Sequence, residues 1–334
     1  VNAGELSVNG TAKATYNIAN GTQNEPGVGI TNELNFTASG EMDNGFGWAY
    51  NMALDPTTNA SGTATTDIAA GSALNDDTSI VVTMNDLGTA KICVSTCGNS
   101  KEYAFDQSAY VAMSDTGLSE GIVYPISASS YASLQYHTPE LPFGTTGHVA
   151  YGQTKAGDGQ SGNATATSGD SAEFYTIVSK PLDGLIISSS YMKVNKYSDG
   201  STEEQIEQGG AAAIKYNINN LSFGYGKSYK SPKTTLGITV SDIEYFENTG
   251  YSLGYAVNDS LSISYSSEVS DKVQRTSTDF THTAKVKSLQ AAYSLGGATL
   301  SLARSEYDNR DYRQHPRLGT TENTETILAL TFDF

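Results

Sequence analysis

The chain has 334 residues, only 16% of them charged and 38% hydrophobic, with a formal net charge of −17 that argues against nucleic acid as a partner. A soluble domain carries about 25% charged residues; here the polar half is Ser, Thr, Asn and 33 Gly, alongside 21 Tyr. No apolar run approaches the roughly 18 residues of a membrane helix, which excludes a helical span and leaves a β-strand crossing open.

Taken in order, the chain divides into sixteen alternating segments that read as one unit over 1–334. The first runs from Gly4 to Ala19. Leu6, Val8, Ala12, Ala14, Tyr16 and Ile18 share one parity, and Glu5, Ser7, Asn9, Thr11, Lys13, Thr15 and Asn17 share the other. The second, Ile30–Gly40, turns through Glu41–Gly45 into a third in which Phe46, Trp48, Tyr50, Met52 and Leu54 alternate. Pro56–Asp77 follows, a polar stretch without large side chains. Thr78–Asn85 turns at Asp86-Leu87-Gly88 into Thr89–Thr96, and the longest connection, Cys97–Ser129, comes next.

Ser130–Thr138 and Thr146–Thr154 form a sixth and seventh strand around Pro139–Gly144. After Lys155–Ser171 come Ala172–Lys180 and Leu185–Tyr197, then Gly209–Asn217 and Leu221–Tyr229 joined at Asn219-Asn220. Glu244–Val257 and Leu261–Val269 meet at Asn258-Asp259-Ser260, and His282–Leu295 and Ala298–Tyr307 meet at Gly296-Gly297. The last segment, Thr326–Phe334, alternates Leu328, Leu330, Phe332 and Phe334 with Ile327, Ala329, Thr331 and Asp333.

Two regularities organise these segments. Connections alternate short and long around the whole chain, the short ones carrying tight-turn residues. The final strand ends on an aromatic residue with no following segment to cover its apolar face, so that face is expected to meet lipid and the strand to pair with the first one. The expected fold is therefore all-β: a transmembrane, 16-stranded antiparallel barrel. Val1 opens almost directly into a strand, as expected of an exported chain whose signal peptide has been cleaved. Tyr16, Tyr50, Tyr191, Tyr225, Tyr229, Tyr255, Tyr265 and Tyr293 fall on apolar parities or near strand ends, as membrane-interface girdles require.

At this point the chain resembles the trimeric general-diffusion porins of the Gram-negative outer membrane, in particular the alphaproteobacterial type. The residues that carry the resemblance are GELSVNGTAKATYN (4–17), ITNELNFTASGEMDNGFGWAYNMAL (30–54), DLGTAKI (86–92) and ILALTFDF (327–334), in that order along the full length. The resemblance implies a third loop folded into the lumen, here 97–129, and passive passage of small polar solutes and ions. It implies a homotrimer in which the second loop, 56–77, latches onto a neighbour. It also implies that Leu328, Leu330, Phe332 and Phe334 form the signal read by the barrel-assembly machinery, and that outer-membrane lipid and lipopolysaccharide surround the chain.

Selectivity depends on what narrows the pore. The 97–129 loop carries Glu102, Asp106, Asp115 and Glu120 against a single base, Lys101, and the polar parities supply Lys13, Lys91 and Lys215 as facing bases. Carboxylates across from lysines set up a transverse field that orients dipolar solutes; the competing reading places some of these carboxylates on a solvated loop edge. Family members often line this wall with arginines, whereas Thr31-Asn32-Glu33-Leu34-Asn35 holds no base, which leans toward weak cation preference. A substrate-specific channel with a defined solute site is the alternative.

Cys93 and Cys97 flank the start of the loop. Four extended residues span about 13 Å, beyond the reach of a disulfide, so bonding them requires a bend after Ser95; a metal pair is the other reading of this spacing. No cofactor is expected, although Asp76-Asp77 admits loop-bound calcium beside the simpler reading of a solvated loop. His137, His148, His282 and His315 sit in no catalytic motif, so no enzymatic activity is expected.

Overall fold

The computed structural model describes residues 4–20, 27–54, 58–59, 75–94, 122–125, 131–155, 171–195, 203–232, 234–235, 242–275, 280–309, 312 and 322–334. Within these, sixteen long strands follow one another: β1 (Glu5–Asn20), β2 (Gly27–Glu41), β3 (Gly47–Leu54), β4 (Asn75–Thr83), β5 (Thr89–Val94), β6 (Tyr131–His137), β7 (Thr146–Lys155) and β8 (Ser171–Leu182). They continue as β9 (Leu185–Asn195), β10 (Gln208–Ile218), β11 (Leu221–Ser231), β12 (Asp242–Ala256), β13 (Leu261–Arg275), β14 (Phe280–Ser294), β15 (Ala298–Asp308) and β16 (Glu322–Asp333). Three shorter pieces lie outside this series: Thr58–Asn59, which pairs with Gly29 and Ile30 of β2, and Glu203–Gln205 with Thr234–Thr235.

Each long strand pairs antiparallel with its sequence neighbour, and β16 closes the ring on β1. Ala12, Ala14 and Tyr16 face Phe332, Leu330 and Leu328 across that seam. Phe334 then exchanges two backbone hydrogen bonds with Gly10, at 2.6 and 2.9 Å. Closure leaves the long strands no free edge, the condition a sheet must meet in hydrocarbon, where no water pairs with exposed amides.

The alternation read from the sequence is the alternation of the wall. Leu6 (66% exposed), Leu134 (60%), Leu289 (60%) and Phe334 (66%) face outward, while buried Ser188, Ser228, Ser252, Ser270, Ser288 and Ser305 face inward. A water-soluble chain would place these sets the other way round, because burying apolar surface is the main driving force in water. All eight tyrosines named above lie on the outward parity. Charged side chains enter the outward face of β11–β15 only away from the short turns, at Lys227, Glu247, Asp271, Lys285, Lys287, Arg304, Glu306 and Asp308 among the described residues. The outward face of β1–β3 carries no charge among its described residues.

Several strands are longer than the sequence pattern indicates. β13 continues six residues past Val269, β16 begins at Glu322 rather than Thr326, and β4 begins at Asn75, so Asp76 and Asp77 belong to a strand instead of a loop. Polar residues at both parities mask a strand once it rises above the apolar belt, so alternation alone stops too early. The short connections are tight: at Gly184 (φ 74°) a Cβ would lie 2.1 Å from the Asn217 carbonyl oxygen.

Candidate functional site

The lumen is the site, and three features of its inner wall define its chemistry. The first is a foreign segment. The 97–129 connection is rooted between β5 and β6, yet its described residues, 122–125, lie against the far wall. Ile122 packs on the inward cluster Val286, Tyr307, Ile327 and Ala329 of β14–β16, and Val123 packs on Phe246, Ala284 and Tyr312. Pro125 sits over β10, where a Cβ on Gly209 would come 2.9 Å from the Pro125 Cβ.

Polar contacts fasten two of these residues, Val123 and Tyr124. The Val123 amide donates to the Tyr312 hydroxyl at 3.2 Å, and its carbonyl accepts from Asn248 Nδ2 at 3.0 Å. Asn248 Nδ2 also donates to Ser228 Oγ at 2.8 Å, and Ser270 Oγ bonds both Asn248 Oδ1 and the Tyr312 hydroxyl. Tyr124 donates its hydroxyl to Glu268 Oε2 at 2.5 Å. Tyr312 itself comes from the connection after β15; its ring lies 5.4 Å from that of Phe246, with Lys272 Nζ 5.5 Å from its centroid. Burial pushes the Tyr312 hydroxyl pKa up, so it remains a neutral donor and acceptor.

The second feature is a buried carboxylate beside that cluster. Glu325 of β16 is 1% exposed. Its Oε1 accepts from Asn17 Nδ2 and its Oε2 from the Tyr307 hydroxyl, each at 2.9 Å. A buried carboxylate is stable only when so bonded, and here it ties β1, β15 and β16 together under Ile122.

The third feature lies on the opposite wall, β5–β10, at the short-turn end. His137 and His148 are direct cross-strand partners with ring centroids 4.8 Å apart, and Gln135 Oε1 sits 3.0 Å from His137 Nε2. Beside them a cavity of about 500 Å³ is lined by both histidines, Lys180 and Lys215.

Of the residues singled out in the sequence, Lys13, Lys91 and Lys215 all take inward parities. Lys91 and Lys215 fall in the basic sector of β5–β10, whereas Lys13 stands on β1, in register with Thr31 and Thr331. Glu102, Asp106, Asp115, Glu120 and Cys97 lie outside the described residues; Cys93 is buried on the inward face of β5. Leu328 and Phe332 face outward, Leu330 shares their parity, and Phe334 follows at the seam. Among the described residues no group of three or more His, Cys, Asp or Glu side chains is placed to hold a metal.

Tyr312, Asn248, Glu268, Glu325 and the histidine pair are absent from the sequence-derived set. Glu268, Glu325 and Asn248 carry a faint signal, being polar residues at inward strand positions. The histidines carry a clearer one: they are equidistant from the centre of the 138–147 turn, so a symmetric hairpin pairs them. Nothing local marks Tyr312.

A closed sixteen-strand antiparallel barrel with an apolar exterior, a polar interior and a segment of its third long connection against the inner wall is the architecture of a porin. No family model matches the chain and no curated protein matches it by sequence, but solved structures match it over nearly its whole length. Salmonella typhi OmpF, solved in complex with daunomycin, superposes with a TM-score of 0.74 at 14% identity, covering 99% of this chain and 98% of that one. A porin refined at high resolution gives 0.64 at 13%, covering 99% and 100%. OmpT in its trimer form, an outer membrane protein of Vibrio cholerae, gives 0.66 at 11%, covering both chains in full. At such identities the likeness concerns the fold, and the fold is that of the porins.

Proposed function

We propose that this chain is a passive diffusion channel of the bacterial outer membrane, admitting small polar solutes and ions with a weak preference for cations. The observation that carries this reading is the position of 122–125. A connection rooted on β5 and β6 that reaches β10–β16 has to pass through the lumen, so its body is the natural constriction. In this reading Glu102, Asp106, Asp115 and Glu120 face the wall lysines Lys13, Lys91 and Lys215, and the net charge of −17 biases entry toward cations.

The assembly is a homotrimer in the same reading, with the uncharged outward face of β1–β3 and the connection over 56–77 toward the neighbouring subunit. One matched structure, the Vibrio cholerae OmpT, is itself described in a trimer form. The outward charges Lys227, Glu247, Lys287, Arg304 and Glu306 lie at the height of lipopolysaccharide headgroups. The terminal Leu328, Leu330, Phe332 and Phe334 serve as the signal for the assembly machinery.

The test is conductance of the purified full chain in planar lipid bilayers under a KCl gradient. Stepwise ohmic currents with a reversal potential of the sign set by potassium support the proposal. A chain that raises no current, or remains monodisperse in buffer without detergent, overturns it. A substrate-specific channel would instead pass one class of solute and exclude others of the same size in liposome-swelling assays.

A further inference from the structure

The wall opposite the clamped segment has a chemistry that the cation-preferring reading does not absorb. Across β5–β10, at the short-turn end of the barrel, the inward positions present Lys91, His137, His148, Lys180 and Lys215. The cavity against this wall, about 500 Å³, is lined by four of these five, with Thr146 and Ser188 between them and no carboxylate. That size suits a small metabolite. Among the described residues, Glu140 and Asp183 of the turns below are exposed and do not line the cavity.

The histidine pair gives this wall a polar group in want of a partner. His148 Nδ1 is buried and makes no hydrogen bond, while Gln135 Oε1 engages Nε2 of His137. Uncompensated burial of such an atom costs free energy. Ammonium groups and hydroxyls at fixed positions on rigid strands make charge-assisted bonds to oxygen anions. A monovalent halide satisfies one such donor at a time; an anion with several oxygens spans Lys180, Lys215 and the imidazoles together.

We propose that this basic sector is a transient binding station for small multivalent oxyanions, phosphate or di- and tricarboxylates, at the short-turn mouth of the channel. The station rests on the reading of the chain as an open pore, and it adds a class of solute that is held in transit. Lys91, Lys180 and Lys215 stand on the same inner wall as the two imidazoles, so an anion offsets the mutual repulsion of the ammonium groups.

The experiment uses the full chain in planar bilayers in KCl, with inorganic phosphate in one arm and citrate in the other. Concentration-dependent current interruptions are expected, from citrate at lower concentration than from phosphate. Lys180→Ala with Lys215→Ala raises the half-blocking concentration about tenfold or more, the loss of at least one charge-assisted bond. Lys227→Ala, on the outward face, serves as the control with unchanged block. Retention of the heat-dependent gel shift by each variant confirms a folded barrel. Full KCl conductance without block by either anion, or block that the lysine pair does not alter, overturns the station and leaves the channel standing. Absence of any KCl current overturns the channel reading itself.

Discussion

Removing one oxygen atom, by Tyr312→Phe, tests whether the clamp on 122–125 sets the constriction. The hydroxyl meets two groups, the Val123 amide at 3.2 Å and Ser270 Oγ. Phenylalanine keeps the ring packed on Phe246, so the substitution leaves the Val123 N–H unpaired in a buried site and little else changed. An unsatisfied buried donor costs about 1–3 kcal/mol, which raises the released fraction of the segment by a factor of roughly 5 to 150. Asn248 still holds the Val123 carbonyl, so the segment loosens rather than leaves. The assay is single-channel recording at fixed voltage, where greater open-channel noise and more frequent conductance substates are expected. Asn248→Ala, which removes the bonds to the Val123 carbonyl and to Ser228, gives the same phenotype. The double variant falls short of the sum, because both side chains hold one peptide. Traces of Tyr312→Phe and Asn248→Ala that match those of the unsubstituted chain refute the clamp.

Other outcomes follow from the wall. Gly209→Val places methyls where Pro125 now rests, and a shifted mean conductance in bilayer recordings is expected, whereas Gly297→Val, with no neighbouring atom within reach, leaves conductance unchanged. Leu302→Lys puts a charge into the lipid-facing belt and costs about 2–4 kcal/mol near the bilayer midplane; Thr299→Lys, inward and three residues away, costs far less, and urea titrations in lipid vesicles compare the two. Deleting Phe334 removes both backbone bonds to Gly10 at the seam; slower insertion into vesicles and a lower yield of heat-modifiable barrel are expected on gels. Glu325→Ala leaves Asn17 Nδ2 and the Tyr307 hydroxyl without their shared acceptor. The lost pairing lowers the unfolding midpoint in thermal melts, more than the isosteric Glu325→Gln does.

What the sequence determined is whatever repeats every two residues. The parity of Leu6, Val8, Tyr16 and Ile18 against Thr15 and Asn17 assigns lipid and lumen sides before any partner strand is known, because successive side chains leave a strand on opposite faces. Tight turns such as Asn219-Asn220 fix the register of their hairpins, so sixteen strands, their order and closure on the terminal phenylalanine were legible. So were the inward lysines, since a base at a polar parity points into the lumen wherever its strand lies.

Tertiary structure alone decided which of those inward residues meet. Val123, Asn248, Ser270 and Tyr312 come from four separate stretches of the chain, and they become neighbours only once the ring has closed and residues of two connections lie against its inner wall. His137, His148, Lys180 and Lys215 share a cavity because barrel curvature turns neighbouring inward faces toward one another. The physical reason is one of range. Alternation records the choice between lipid and water, which every residue of a strand meets locally, whereas contacts across a lumen are set by closure of the whole wall.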